Sequence, residues 1–199
     1  ALTVLASYVA VRHMRVTRTH LLQAKACLAF LNVAPGACLG EKVLENVPAL
    51  RAWANRLDGM GFLRPGLLKS GRVSEFADDE QAAPASHGTF EITDAGDGTY
   101  TAQGTATLAR RGEPADAVAL AYEDGAGEAH VFALAEIEGA WTIYGSLRQF
   151  SPRRYVRWRK AFAAGELPPQ AVALSAWAFD AETGSAQRIG GTRPFRRAE

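Results

Sequence analysis

Gly88-Thr-Phe-Glu-Ile-Thr-Asp-Ala-Gly-Asp-Gly-Thr-Tyr-Thr-Ala-Gln-Gly-Thr-Ala-Thr-Leu108 is where the grammar of this chain changes to a period of two. Thr89-Phe-Glu-Ile-Thr93 alternates polar and apolar side chains, as a strand with one buried face does. Asp94-Ala-Gly-Asp-Gly98 is a strong hairpin signal. Tyr100 to Leu108 then alternates Thr or Gln with Ala and Gly, a returning strand.

Toward the C-terminus the same grammar continues. Arg110-Arg-Gly-Glu-Pro-Ala-Asp116 reads as a polar loop, and Ala117-Val-Ala-Leu-Ala-Tyr122 as a short apolar run. Glu123-Asp-Gly-Ala-Gly127 turns the chain into His130-Val-Phe-Ala-Leu-Ala135. Trp141-Thr-Ile-Tyr144 and Val172-Ala-Leu-Ser-Ala-Trp-Ala-Phe179 are further strands, and Glu182-Thr-Gly184 is a tight turn before Ala186-Gln-Arg-Ile189. Short strands with turns about every 8–12 residues describe a β-sandwich or barrel.

Toward the N-terminus the period is helical. Leu21, Ala24, Leu28 and Leu31 fall on one face of a 3.6-residue repeat, and Val47, Leu50, Ala54 and Leu57 repeat the spacing. Pro48 sits near the start of the second helix, where a missing amide hydrogen costs least. Asn32-Val-Ala-Pro-Gly-Ala-Cys-Leu-Gly40 is the turn between them, and Gly59, Gly61 and Pro65-Gly66 end the helical part. Glu75-Phe-Ala-Asp-Asp-Glu-Gln-Ala-Ala-Pro-Ala-Ser86 is acidic and small, a linker in character. The fold class expected is α+β, an N-terminal helical hairpin followed by an antiparallel β-sandwich. Its divisions are an apolar segment end at 1–11, a helical region at 12–74, a linker at 75–87 and the sandwich at 88–199.

The chain begins with Ala1 and not methionine, which reads as a cut-out or processed form. Its first eleven residues are apolar and halted by Arg12, His13, Arg15 and Arg18; a bilayer span needs about 20. Three readings stay open: the last turns of a transmembrane helix, a buried element of a soluble domain, or a truncated signal peptide.

Of 199 residues, 48% are hydrophobic and 22% charged, which excludes wholesale disorder. Lys and Arg number 22 against 21 Asp and Glu, so no global field favours nucleic acid or acidic lipid, and any basic site is local. No nucleic-acid recognition motif is present. His13, His20, His87 and His130 show no metal-ligand spacing, so neither a metal nor another cofactor is expected. Glu123, Asp124 and Glu128, like Asp78, Asp79 and Glu80, read as solvated turns and not as the separated carboxylate pair of glycoside chemistry. No catalytic residue stands out.

Cys27 and Cys38 are the only cysteines and flank the interhelical turn. Antiparallel helices joined there bring two Cα atoms within the ~4.4–6.8 Å of a disulfide, which implies an oxidising compartment; two buried free thiols are the alternative. The basic run after the apolar start points the other way, toward the cytoplasm.

The densest charge lies in Ser151-Pro-Arg-Arg-Tyr-Val-Arg-Trp-Arg-Lys160. Ser-Pro suits the start of a short helix, on which Arg153 and Arg157 share one stripe and Arg154 and Trp158 the next. Guanidinium and indole groups so placed hold a phosphate, a uronate or a lipid headgroup. Alternatively Tyr155, Trp158 and Phe162 pack on the sheet. Trp141, Tyr144 and Trp177 offer flat faces to sugar rings, or fill the core.

Several short stretches also carry a resemblance: Gln23-Ala-Lys-Ala-Cys27, Ala37-Cys38-Leu39 and Met60-Gly-Phe-Leu63, then Gly88-Thr-Phe-Glu-Ile92, Gln103-Gly-Thr-Ala106, Ala117-Val-Ala-Leu120, and Leu174-Ser-Ala-Trp-Ala-Phe-Asp180 with Thr183-Gly184. From Arg18 on, the chain resembles the C-terminal extracytoplasmic domain of bacterial polytopic membrane proteins linked to surface-polysaccharide and O-antigen assembly, lipid-linked glycosyltransferase-like proteins among them. The resemblance implies an accessory domain, with catalysis in the parent's membrane-spanning part. The expectation is thus a non-catalytic module on the periplasmic side of a bacterial membrane, held by a preceding transmembrane segment. It recognises or guides a saccharide or lipid-linked saccharide. A periplasmic protein–protein interaction domain is the alternative, and a standalone hydrolase a third.

Overall fold

The computed structural model describes residues 17–34, 47–78, 88–138 and 155–195. Among the described residues, two helices precede two antiparallel sheets. Helix α1 takes in residues 17–29 and α2 is Val47–Gly59; a 3-10 turn spans Val73–Glu75. The strands are β1 (Gly88–Asp94), β2 (Thr99–Leu108), β3 (Glu113–Pro114), β4 (Ala117–Glu123), β5 (Ala129–Leu134), β6 (Glu136–Glu138), β7 (Val156–Ala163), β8 (Ala173–Asp180) and β9 (Ser185–Pro194). The outer sheet runs β1-β2-β7-β6 with β3 beside β2; the central sheet runs β5-β4-β8-β9. The α+β class with a sandwich-like pair of sheets is the expected one.

The β1–β2 hairpin forms where the glycines stand. Gly96 and Gly98 take φ of +83° and +77°, and the Asp94 and Asp97 carboxylates accept the backbone N–H groups of Gly96 and Thr99 at 2.8 and 2.9 Å. This pins the register Phe90↔Gly104, which β7 continues as Gly104↔Trp158. Gly104 leaves a gap that the Phe90 and Trp158 rings close from either side, their centroids 5.9 Å apart.

Between the sheets lies one core: Phe90, Tyr100, Trp158 and Phe162 from the outer sheet meet Val118, Leu120, Leu174, Ala176 and Ile189 from the central one. A second core covers the other face of the central sheet. There Ala117, Ala119, Ala121, Trp177 and Phe179 meet Leu22, Ala26 and Ala29 of α1 and Phe30 just past its end. Phe30, Phe76 and Phe179 close on one another edge to face, with centroids 4.9–6.1 Å apart. The described chain is therefore layered as helix, central sheet, outer sheet. β4 and β8 are buried on both faces, which suits their near-continuous apolar sequences.

Several expectations need correction. The α1 stripe is rotated: Leu21 is 54% exposed and Ala24 is exposed, while Leu22, Ala26, Ala29 and Phe30 face the sheet. Leu28 and Leu31 pack instead with Leu50, Ala54, Leu63 and Leu67 against α2. The start of the expected linker is built in: Phe76 is buried, Ala77 bridges to Ala186, and Glu75 accepts the backbone N–H groups of Lys69 and Ser70 at 3.0–3.1 Å. Residues 79–87, and the strand expected at Trp141–Tyr144, lie outside the described residues. The helix expected after Ser151-Pro152 is absent from 156 on, where β7 runs as a strand. Trp158 and Phe162 are four apart, a spacing that shares a side in either conformation; pairing with both β2 and β6 decides for the strand.

Cys27 carries no free thiol and belongs to a disulfide; Cys38 lies outside the described residues. No helix among the described residues is long and apolar enough to cross a membrane.

Candidate functional site

Both faces of the central sheet are covered, so the outer sheet presents the one open sheet face among the described residues. Strand alternation sends Thr89, Glu91 and Thr93 of β1, Thr101, Gln103, Thr105 and Thr107 of β2, and Arg157, Arg159 and Ala161 of β7 to that face. Register sorts them into rows. One row crosses the strands as Glu91, Gln103, Arg159 and Glu136; the next as Thr89, Thr105 and Arg157. Neighbouring strands stand about 4.8 Å apart, so each row is a closely spaced line of polar tips.

The rows are locally ordered. The Thr89 and Thr105 hydroxyls lie 3.2 Å apart, and each accepts the backbone N–H of the other residue at 3.1 Å. Arg157 and Arg159 are exposed and make no ion pair among the described residues, leaving both guanidinium forks open to a ligand. Beside the β1 edge a cleft of about 390 Å³ opens between β1 and the end of β9, lined by Glu91, Asp94, Tyr100, Arg193 and Phe195. Arg193 holds its rim by donating from Nε and Nη2 to the Phe90 carbonyl at 3.2 and 3.1 Å.

The expected site residues divide. Arg157 stands on the open face. Trp158 is 1% exposed and Trp177 4%, so both fill the core and neither is a sugar platform. Trp177 is sealed by Arg188, 5.0 Å from its ring centroid, and donates from Nε1 to the Ser175 hydroxyl at 3.1 Å. Arg153, Arg154, Trp141 and Tyr144 lie outside the described residues. In a strand, Arg157 and Trp158 point to opposite faces, so these two do not meet on one surface; the expected pairing of Arg154 with Trp158 rests on a residue outside the described ones. Arg159 and Gln103 join Arg157 instead. A strand signal lies in Val156-Arg-Trp-Arg159, where large apolar residues and arginines alternate.

Charge also gathers at the opposite corner. The guanidinium of Arg111 meets Asp116 at 3.0 Å, Glu182 at 3.0 Å, and Asp180 and Glu113 at 3.4 Å. Arg18 of α1 reaches Glu182 at 2.8 Å and Glu113 at 3.8 Å. Burial holds the Asp116 carboxyl above its ordinary range, against the Ala181 N–H and Arg111, which favour its charged form. The Arg18 and Arg111 hydrogen bonds hold Glu182 below its own. With its charges paired in this way, the cluster fastens α1 to the β8–β9 turn.

A third gathering lies at the β4–β5 turn, where Asp124, Glu128 and His130 meet. By sequence alone the two acids read as solvated turn residues, and the histidine shows no ligand spacing. Comparison with protein-family models, with curated proteins and with solved structures returned no match for this chain.

Proposed function

We propose that this chain is a non-catalytic accessory domain on the extracytoplasmic side of a bacterial membrane protein, and that it recognises or guides a saccharide or lipid-linked saccharide in cell-envelope polysaccharide assembly. The observation that carries the reading is the open outer-sheet face. Its hydroxyl, amide, carboxylate and guanidinium groups supply donors and acceptors in rows, as a hydroxyl-rich chain requires. A flat, wet surface suits an extended glycan better than a small ligand, which calls for a concave and mostly apolar pocket. The disulfide at Cys27 supports an oxidising compartment, and we infer that Cys38 is its partner. Membrane attachment through a preceding transmembrane segment belongs to the same proposal.

The test is titration of the folded chain with neutral and acidic oligosaccharides and with anionic vesicles, at low and high salt. Arg157→Ala and Arg159→Ala should weaken binding of the acidic glycan and reduce its salt dependence, with melting temperatures almost unchanged. Trp158→Ala should behave differently, costing about 3–5 kcal/mol of stability as a core truncation. Binding to no glycan, or binding indifferent to both arginines, overturns the reading.

A second reading, a protein–protein interaction domain, is favoured by one apolar patch. Trp53, Leu57, Met60 and Phe62, along α2 and just past its end, are 63%, 38%, 54% and 72% exposed. Such patches mark contact surfaces when they are contiguous.

A further inference from the structure

We propose that Asp124, Glu128 and His130 form a binding site for a first-row divalent transition ion, zinc above all. One ligand atom from each lies within 4.8 Å of the other two, and among the described residues theirs is the one such trio. His130 Nε2 stands 3.5 Å from Glu128 Oε2 and 3.9 Å from Asp124 Oδ2. In a tetrahedral zinc centre with bonds of about 2.0–2.2 Å, ligand atoms stand roughly 3.3–3.6 Å apart; the His130–Glu128 pair already stands at that spacing, the His130–Asp124 pair is a few tenths of an ångström wider, and the two carboxylates, within 4.8 Å of each other, have to close by at most roughly 1.5 Å.

Each side chain is held by groups other than the atom that would bind. Asp124 Oδ1 accepts the backbone N–H groups of Ala126 and Glu128, both at 2.9 Å, which leaves Oδ2 for the ion. Glu128 Oε1 receives Arg72 Nε at 3.1 Å, which leaves Oε2. The His130 ring lies against Tyr122, with centroids 5.3 Å apart and planes 20° from parallel. Its backbone bridges to Arg72, so the arginine that orients Glu128 is tied to the histidine's own segment. Partners of this kind behind metal ligands orient them and tune their affinity.

The donor set selects the ion. An imidazole nitrogen beside two carboxylate oxygens suits zinc and its neighbours, whereas magnesium and calcium prefer oxygen alone. Three protein ligands leave a fourth position for water or a ligand oxygen. Asp124 and His130 are each 24% exposed at the side chain and Glu128 40%, so the position opens to solvent.

The competing account is a histidinium paired with two carboxylates, which needs no metal. Calorimetric titration of the chelator-stripped, disulfide-intact chain with Zn²⁺, and separately with Mg²⁺, near neutral pH distinguishes them. His130→Gln, Glu128→Gln and Asp124→Asn are titrated in parallel; Asn keeps the Oδ1 that closes the turn, and circular dichroism checks each fold. The expected result is a zinc event in the wild type that displaces the His130 ring resonances. Binding should be at least about tenfold weaker in every folded variant, and Mg²⁺ should not compete. Absence of zinc binding, equal binding in wild type and the folded variants, or Mg²⁺ binding as tight as Zn²⁺ overturns the proposal.

Discussion

Arg111 gathers four carboxylates, and two of them respond to pH in opposite senses. Glu182 is held below its ordinary value of 4.5, chiefly by its hydrogen bonds from Arg18 and Arg111. Its contribution is complete above that value and is lost as pH falls through the lowered folded one. Asp116 is held above its ordinary value of 3.8, chiefly by burial. Its contribution is complete below that value and is lost as pH rises through the raised folded one. Glu182→Gln should therefore lower stability by about 0.2–1 kcal/mol at neutral pH, as expected of a largely exposed pair, and the deficit should vanish in acid. For Asp116→Asn the wild-type advantage should instead shrink as pH rises. Urea denaturation from strong acid to neutrality reads both, and parallel profiles for the two variants would contradict the assignment. None of this was legible beforehand. Arg110–Asp116 is polar by composition, but Asp180 and Glu182 reach Arg111 from more than sixty positions away, and local pattern carries no trace of such pairing.

At the scale of elements, Gly104 shows how closely the outer sheet is fitted. A methyl added there overlaps the Thr89 carbonyl oxygen and comes within 3.1 Å of the Trp158 ring. Gly104→Ala should cost about 1–3 kcal/mol as overpacking of a filled position, seen as a lower urea midpoint; an unchanged midpoint would mean that the strands do not approach as described. The β1–β2 hairpin was readable because its turn chemistry and alternation agree within a few residues. α1 was readable as a helix but not in its facing. Leu21 and Leu22 are adjacent, two apolar faces coexist on it, and contacts with the sheet and α2 choose between them. For β7 the local sequence points to a helix, because Ser151-Pro152 is an apt helix start while the Trp158–Phe162 spacing fits either period. Pairing to β2 and β6 outweighed that local preference.

The whole molecule folds around a central sheet that has no free face. Phe30 touches both Phe76 and Phe179, so the ends of α1 and of the 3-10 turn share one contact with β8. Phe30→Ala should cost about 3–5 kcal/mol and shift helical and tertiary signals together along one denaturation curve. Separate transitions would mean that the helices and the sandwich fold independently. The expected division at 74/75 missed this shared core, although a signal for it was present. Ala117–Tyr122 and Val172–Phe179 are apolar without alternation, and a strand apolar on both sides needs cover on both sides. The outward rows of Thr, Gln and Arg were legible only as exposed polar positions until register lined them up. The layering also has a mechanical corollary. The Thr89–Thr105–Arg157 rows lie two interlayer spacings from α1, roughly 20 Å, and face directly away from it. Anything that grips the molecule by its helical side leaves those rows clear of every other described element. The thickness of the two sheets then sets how far those rows stand from anything that holds α1.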